Sequence, residues 1–216
     1  SSSGPHLHFE IRNAANQHPV NPQQFDFEIK DNIPPRVYNL YMYSIKGEGK
    51  DRTTGESRRI PLVKQSGKYK TAGRLVPVVE GPFGFGLEVY DFTNGSHNRC
   101  GIYHLKLRKD GKLMYHFQTD EFSFSESRYI HAHTDYALKE KENKRVHSLF
   151  IRPNNPLSMY KYSVNNGILQ LAGKDSSEIS IEITDFEGNK STIEFIVKKD
   201  HGTVQQPREK SGELFL

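Results

Sequence analysis

The sequence predicts an all-β fold. Most runs of alternating apolar and polar residues follow a period of two, which places successive side chains on opposite faces of a strand. Only 34% of the 216 residues are hydrophobic, yet 11 Tyr and 13 Phe are present. This combination indicates thin, β-rich cores rather than disorder. The one helix that the pattern predicts, over residues 137–146, is short and highly charged.

The predicted strands are short and are separated by turn-forming residues. The clearest hairpin joins residues 102–107 to residues 113–117 through Asp110-Gly111, a dipeptide that adopts the positive φ angles of a tight turn. Residues 47–59 are polar, charged and glycine-bearing, which predicts a long exposed loop. The other strand candidates are residues 7–12, 37–43, 86–92, 127–136, 148–152, 160–164, 168–171, 178–185 and 191–198.

Two features divide the chain into parts. Pro34-Pro35 removes two backbone donors and forces extended geometry, which is typical of a domain junction. Residues 87–96 and 181–191 both run from an alternating strand through Asp-Phe into an Asn/Gly turn, and their spacing matches the size of one immunoglobulin-like domain. We therefore predict two immunoglobulin-like β-sandwiches in series, or one large sandwich built from two related halves. The predicted parts are a remnant of a preceding domain (1–32), two sandwich segments (33–121 and 122–200) and a polar tail or linker (201–216).

Composition and charge exclude several classes of protein. Thirty Lys and Arg face 26 Asp and Glu, and the net charge of +4 is spread along the chain, so the sequence predicts no nucleic-acid partner. No run approaches the roughly 18 to 20 apolar residues of a membrane span. The first five residues lack the features of a signal peptide. Cys100 is the single cysteine, which excludes an internal disulfide and a multi-cysteine zinc site.

The sharpest chemical signal is at the N-terminus. Residues 3–12 read Ser-Gly-Pro-His-Leu-His-Phe-Glu-Ile-Arg, and strand alternation places His6, His8 and Glu10 on one face. Two such imidazoles lie about 7 Å apart. This spacing suits a pair in which one side chain binds a metal and the other handles protons.

This segment resembles the last catalytic motif of the lysostaphin-type (LytM-like) zinc metallopeptidases, which cut peptide cross-links in bacterial peptidoglycan. The resemblance covers roughly residues 1–25 and includes Pro19-Val20-Asn21-Pro22. It implies that His8 is a zinc ligand and that His6 is a catalytic residue that polarises the attacking water or stabilises the oxyanion. Residues 122–160 also resemble the β modules that follow the peptidase domain in envelope proteins of Bacteroidetes.

The resemblance implies further residues on the N-terminal side of the motif. The family binds its zinc with an additional His and an Asp four residues after it, and it uses one more catalytic His. Because a catalytic zinc takes three protein ligands and a water, we expect residues 1–216 alone to be inactive. The expected parent is an exported murein endopeptidase of the periplasm or cell envelope, with peptidoglycan cross-links as substrate and other envelope proteins as further partners.

Other interpretations remain open at this stage. The parent could be a metal-free peptidase relative that acts as a scaffold or as an activator of wall hydrolases, or the β modules could bind a glycan or a protein. His131, His133 and Asp135 form a second candidate set, but three ligands along an extended strand span about 13 Å and cannot meet at one ion. We therefore predict a polar strand face there. Cys100 is predicted to be a partly buried thiol without a catalytic role.

Overall fold

The computed structural model describes residues 9–27, 29–73 and 76–200, and the described chain is mostly β, as predicted. None of the helices within these ranges has the length and apolar character that crossing a bilayer requires. In chain order the strands are β1 (Ile11–Arg12), β2 (Pro19–Val20), β3 (Arg36–Lys46), β4 (Thr53–Ile60), β5 (Leu62–Gln65), β6 (Lys68–Thr71), β7 (Val78–Val79), β8 (Phe83–Tyr90), β9 (His104–Lys109), β10 (Lys112–Gln118), β11 (Val146–Ser148), β12 (Tyr160–Ser163), β13 (Ser176–Thr184) and β14 (Lys190–Lys199).

The helical elements are short. Two α-helices, α1 (Ile130–His133) and α2 (Tyr136–Glu142), lie between β10 and β11. Asp135 starts α2, because its side chain accepts a hydrogen bond from the backbone N–H of Leu138 at 3.1 Å. The 3-10 segments in the described chain are Pro22–Gln24, Gly49–Asp51, Phe124–Tyr129 and Asn165–Gly167.

The strands form two main sheets. In the described ranges the larger sheet has eight strands, in the order β12-β10-β9-β13-β14-β6-β5, with β7 also paired to β14. The smaller sheet has four strands, in the order β11-β8-β3-β4. Strands β6 and β7 pair with β14 in parallel, and the other pairs are antiparallel. A separate pair, β1-β2, lies before them.

Apolar side chains from both sheets share one core. On β13, Ile179 and Ile181 are buried and alternate with the more exposed Ser180 and Glu182, as a strand with one covered face requires. The core contains Phe85 from the smaller sheet, whose ring meets that of Phe195 from the larger sheet edge-on at 5.4 Å. The two sheets therefore pack face to face.

The smaller sheet is covered on its second face as well. All eight residues of β8 are buried, and a second apolar cluster lies on the side away from the shared core. Gly84 and Gly86 permit this close packing. A Cβ at Gly84 would lie 2.5 Å from the Phe150 ring, and one at Gly86 would lie 2.7 Å from the Tyr43 ring.

The sheets do not follow the predicted boundary between residues 121 and 122. Strands β9 and β10 come from the first predicted segment, yet they lie between β12 and β13 of the second. The shared core also draws on both segments. Both segments thus contribute to one pair of packed sheets, which agrees with the single large sandwich that the sequence left open. That its halves are related and that its topology is immunoglobulin-like remain predictions.

Four secondary-structure predictions were wrong. The strands expected at residues 148–152 and 168–171 are irregular chain, apart from the last residue of β11 and an isolated bridge at Leu169. Residues 47–59 were expected to be a loop, but Thr53–Ile60 form the edge strand β4, whose mostly exposed side chains carry no apolar period. Residues 127–136 were expected to be a strand, but they form the end of a 3-10 segment, α1 and the start of α2. Their alternating aromatic and polar residues imitate a strand, whereas the Ser123 and Asp135 caps favour helical turns.

Candidate functional site

The two predicted active-site histidines, His6 and His8, lie outside the described residues. The rest of the motif-bearing segment is held against residues 118–124 of the β-sandwich. The Asn21 N–H donates to the Asp120 carbonyl at 2.7 Å, and the Phe122 N–H donates to the Pro19 carbonyl at 3.2 Å. The Arg12 guanidinium also lies 4.9 Å from the centre of the Phe124 ring, a cation–π contact.

The second candidate set, His131, His133 and Asp135, does not form a metal site. His131 is exposed at the start of α1, whereas His133 and Asp135 are buried. Asp135 accepts a hydrogen bond from the Tyr43 hydroxyl at 2.7 Å in addition to capping α2. The predicted polar strand face was therefore wrong, because these side chains belong to helical turns and two of them point into the core.

His133 is the centre of a buried polar network. Its Nε2 lies 3.1 Å from His147 Nδ1, and its Nδ1 lies 3.3 Å from the Tyr160 hydroxyl. Burial, followed by the nearby His147 and Arg152, holds the pKa of His133 well below its usual value. The network is therefore neutral near pH 7, and its geometry indicates a structural role.

A second histidine pair lies on the larger sheet. His104 Nδ1 and His116 Nε2 are 2.9 Å apart, and the two rings stack at 17°. Desolvation, with Lys106 as the next cause, lowers the pKa of His116 to about 4. Among the described residues, no third side chain lies close enough to this pair to share a metal ion with it. The one such group of three in the described chain is formed by other residues.

That group consists of three aspartates, which we call the Asp cluster: Asp31, Asp91 and Asp185. One carboxylate oxygen from each lies within 4.8 Å of the others. The three come from separate parts of the fold. Asp31 belongs to the segment before Pro34, Asp91 follows β8 of the smaller sheet, and Asp185 follows β13 of the larger sheet.

The carboxylates of the Asp cluster differ in their hydrogen bonds. Asp185 accepts from the Asn189 backbone and side-chain N–H groups, both at 2.8 Å, and Asp31 accepts from the Ile33 N–H at 2.9 Å. Asp91 is only 5% exposed, and its Oδ1 is buried with no hydrogen-bond partner in the described chain. No described Lys or Arg forms an ion pair with any of the three.

The electrostatics of the Asp cluster reflect burial and like charge. Burial is the largest cause that raises the pKa of Asp91, to about 7, and the charges of Asp185 and Asp31 add to it. Burial also raises the pKa of Asp185. The neighbouring Cys100, whose backbone pairs with that of Asp91, has a thiol pKa raised mainly by burial. The Cys100 thiol is therefore protonated at neutral pH, and its side chain is partly buried, as predicted.

Asp91 also lines a cavity of about 630 Å³ between the N-terminal segment and the sandwich. Its other walls include Val20, Ile29, Ile102 and Phe186. The cavity therefore lies next to one residue of the Asp cluster.

Sequence reasoning missed the Asp cluster. Asp91 and Asp185 were noted only as equivalent positions of the strand–turn repeat, and Asp31 was not singled out. The strand–turn repeat at residues 87–96 and 181–191 could have indicated the cluster. Equivalent strand ends in two packed sheets lie at the same end of a sandwich, which brings Asp91 and Asp185 together. Comparisons of the chain with protein-family models, curated proteins and solved structures gave no match.

Proposed function

We propose that residues 1–216 belong to a lysostaphin-type zinc endopeptidase of the bacterial cell envelope, which cleaves peptide cross-links in peptidoglycan. The observation that carries the proposal is the motif at residues 3–12, with His6 and His8 on alternate positions. Imidazole nitrogen is a common zinc ligand, so this donor set fits the metal. The family carries its other zinc ligands before this motif, and the proposal places them N-terminal to Ser3.

The two histidines have separate roles in the proposed chemistry. His8 holds zinc, and His6 orients the attacking water or donates a hydrogen bond to the oxygen that gains negative charge. Zinc, when bound, lowers the pKa of its water and polarises the scissile carbonyl. No serine or cysteine nucleophile is then needed, which agrees with a protonated, half-buried Cys100.

The β-sandwich would position the catalytic domain. Support comes from the backbone bonds that join Pro19 and Asn21 to Asp120 and Phe122. These bonds hold the chain against the sandwich only a few residues after the end of the motif. A catalytic domain that ends at this motif would therefore lie close to the sandwich. The sandwich would thereby orient the active site on the wall or towards an envelope partner.

The test is the zinc content of the full-length protein that contains these residues, purified without chelators. We expect about one zinc per chain, lost in His8→Ala and retained in His97→Ala, a control at an exposed histidine. In His6→Ala we expect zinc to be retained and muropeptide hydrolysis to fall by 10²-fold or more.

Absence of zinc from the unaltered protein, even after incubation with the metal, would overturn the proposal. It would favour the metal-free alternative, a scaffold or an activator of wall hydrolases. If the full-length protein holds no zinc and the 216-residue chain is nevertheless retained on purified sacculi, the third alternative, a glycan- or protein-binding module, is favoured.

A further inference from the structure

We propose that the Asp cluster is a calcium site that fastens the segment before Pro34 to one end of both sheets. Its three carboxylates come from that segment, from the end of β8 and from the end of β13. A single cation bound between them would join three parts of the chain that are far apart in sequence. The proposal uses neither His6 nor His8 and stands independently of the zinc site.

The geometry suits calcium. Calcium–oxygen distances are about 2.3–2.6 Å, so ligands on opposite sides of the ion are about 5 Å apart. The three oxygens of the Asp cluster lie within 4.8 Å of one another and so fit one coordination sphere. The ligand set also suits calcium, because it consists of hard oxygens, and no His or Cys belongs to the group. Magnesium keeps several waters and usually takes only one or two protein carboxylates.

A second observation points to a ligand. Asp91 Oδ1 is buried and has no hydrogen-bond partner among the described residues. A buried carboxylate oxygen without a donor is costly, and two further carboxylates beside it add repulsion. Neighbouring Lys or Arg side chains would ordinarily balance this charge, but no described one pairs with the cluster. A divalent cation supplies both the missing partner for the oxygen and the missing positive charge.

The surroundings show what the ion would stabilise. The Asn189 side chain donates to the Asp31 carbonyl at 3.2 Å, and the Ser191 hydroxyl donates to the Pro35 carbonyl at 2.6 Å. The segment that contains Asp31 is therefore already hydrogen-bonded to the turn between β13 and β14 and to the start of β14. Calcium would add charged contacts to these neutral bonds and limit movement of the N-terminal segment relative to the sheets.

A shared proton is the competing explanation. Protonated Asp91 could donate a hydrogen bond within the Asp cluster and remove one negative charge without any metal. The two explanations differ in their dependence on calcium, which a proton cannot imitate.

The experiment is thermal unfolding and titration calorimetry of the 216-residue chain, purified with a chelator and then dialysed. We expect calcium to bind one site per chain and to raise Tm by about 5–10 °C at a 100-fold excess over its Kd. Magnesium at the same concentration should give a much smaller shift, and zinc should not compete.

The key variant is Asp91→Asn, which keeps the shape of the side chain but removes its charge. Without calcium its Tm should equal or exceed that of the unaltered chain, because repulsion in the Asp cluster is relieved, and the calcium-dependent rise should disappear. That combination separates loss of the site from loss of the fold. Glu187→Gln, at an exposed acidic residue of the neighbouring turn, is the matched control and should keep the full rise.

Three results would overturn the proposal. The unaltered chain could show no calcium-dependent heat or Tm shift at millimolar calcium, as the shared proton predicts. Asp91→Asn could keep the full calcium-dependent increase in Tm, which would place the ion elsewhere. Zinc could bind more tightly than calcium at the Asp cluster, which would contradict the assignment of the metal.

Discussion

His133 stacks on Phe117 with the ring centres 4.2 Å apart and the planes at 8°. This contact joins α1 to the core-facing side of β10, and it leaves the His133 side chain without exposure to solvent. An imidazolium in that position would lose its hydration and would lie beside His147 and Arg152. The packing that fixes the helical turns on the larger sheet therefore requires a neutral histidine.

We expect the free energy of unfolding to fall as the pH is lowered from 6.5 towards 5. The unfolded chain takes up a proton at His133 near pH 6.5, but the folded chain, with its lowered pKa, does not. At His133 the unfolded state thus binds more protons in this window, which adds up to about 1.4 kcal/mol per pH unit to the slope. His116 and His147, whose pKa values are lowered to about 4, act in the same direction, and Asp91, whose pKa is raised to about 7, acts against them. Urea unfolding at several pH values measures the slope. It should decrease in His133→Phe and stay unchanged in His97→Ala, and equal slopes in all three proteins would contradict the interpretation.

Gly84 should not tolerate a methyl group. Its Cβ would lie 2.5 Å from Cδ1 of Phe150, so Gly84→Ala must displace a buried ring or bend β8. Overpacking of this kind costs about 1–3 kcal/mol, which urea unfolding would measure. Gly81→Ala is the matched control, because no atom lies within 4 Å of its added Cβ. Equal stability of the two variants would show that the second apolar cluster is loosely packed.

The Asp110 carboxyl should titrate near pH 2. Its hydrogen bond with Lys174, at 2.8 Å, is the main cause that lowers the pKa to about 2, and the backbone N–H of Glu178 contributes as well. Its stabilising effect is present above the unfolded pKa of about 4 and is lost as the pH falls towards 2. Carboxyl NMR should show the low pKa, and Lys174→Ala should raise it. A normal pKa in the unaltered chain would indicate that the contact does not persist in solution.

Local signals account for the parts of the fold that the sequence predicted. Asp110 and Gly111 adopt φ angles of 49° and 76°, as the tight turn between β9 and β10 requires. The strands β13 and β14 could also be predicted from alternation alone, because each strand buries the side chains of one face. By contrast, β4 is held by pairing with β3 at a sheet edge, and no property of its own residues distinguishes it from a polar loop.

The candidate sites differ in the same respect: one was predicted from a local motif, and the others depend on contacts between distant parts of the chain. His6 and His8 were predicted as site residues because the resemblance lies within one short motif, and both lie outside the described residues. Asp31 and Asp185 are 154 positions apart, so the chain between them must fold before the carboxylates of the Asp cluster meet. Such a site depends on the packing of two sheets, which no local pattern encodes. The His104–His116 pair likewise depends on the register between β9 and β10.

The N-terminal segment should be docked on the sandwich in solution, as the proposed positioning role requires. The Phe122 N–H, which donates to Pro19, should exchange slowly with deuterated solvent. Asn21→Pro removes the neighbouring donor, and its φ of −61° already suits proline, so the backbone can keep its path while it loses the bond to Asp120. We expect exchange at Phe122 to become about tenfold faster, since loss of one such bond costs about 1 kcal/mol or slightly more. Asn21→Ala keeps the N–H and should leave the exchange rate of the Phe122 amide nearly unchanged. Equal exchange rates in the two variants would mean that the segment is held by other contacts.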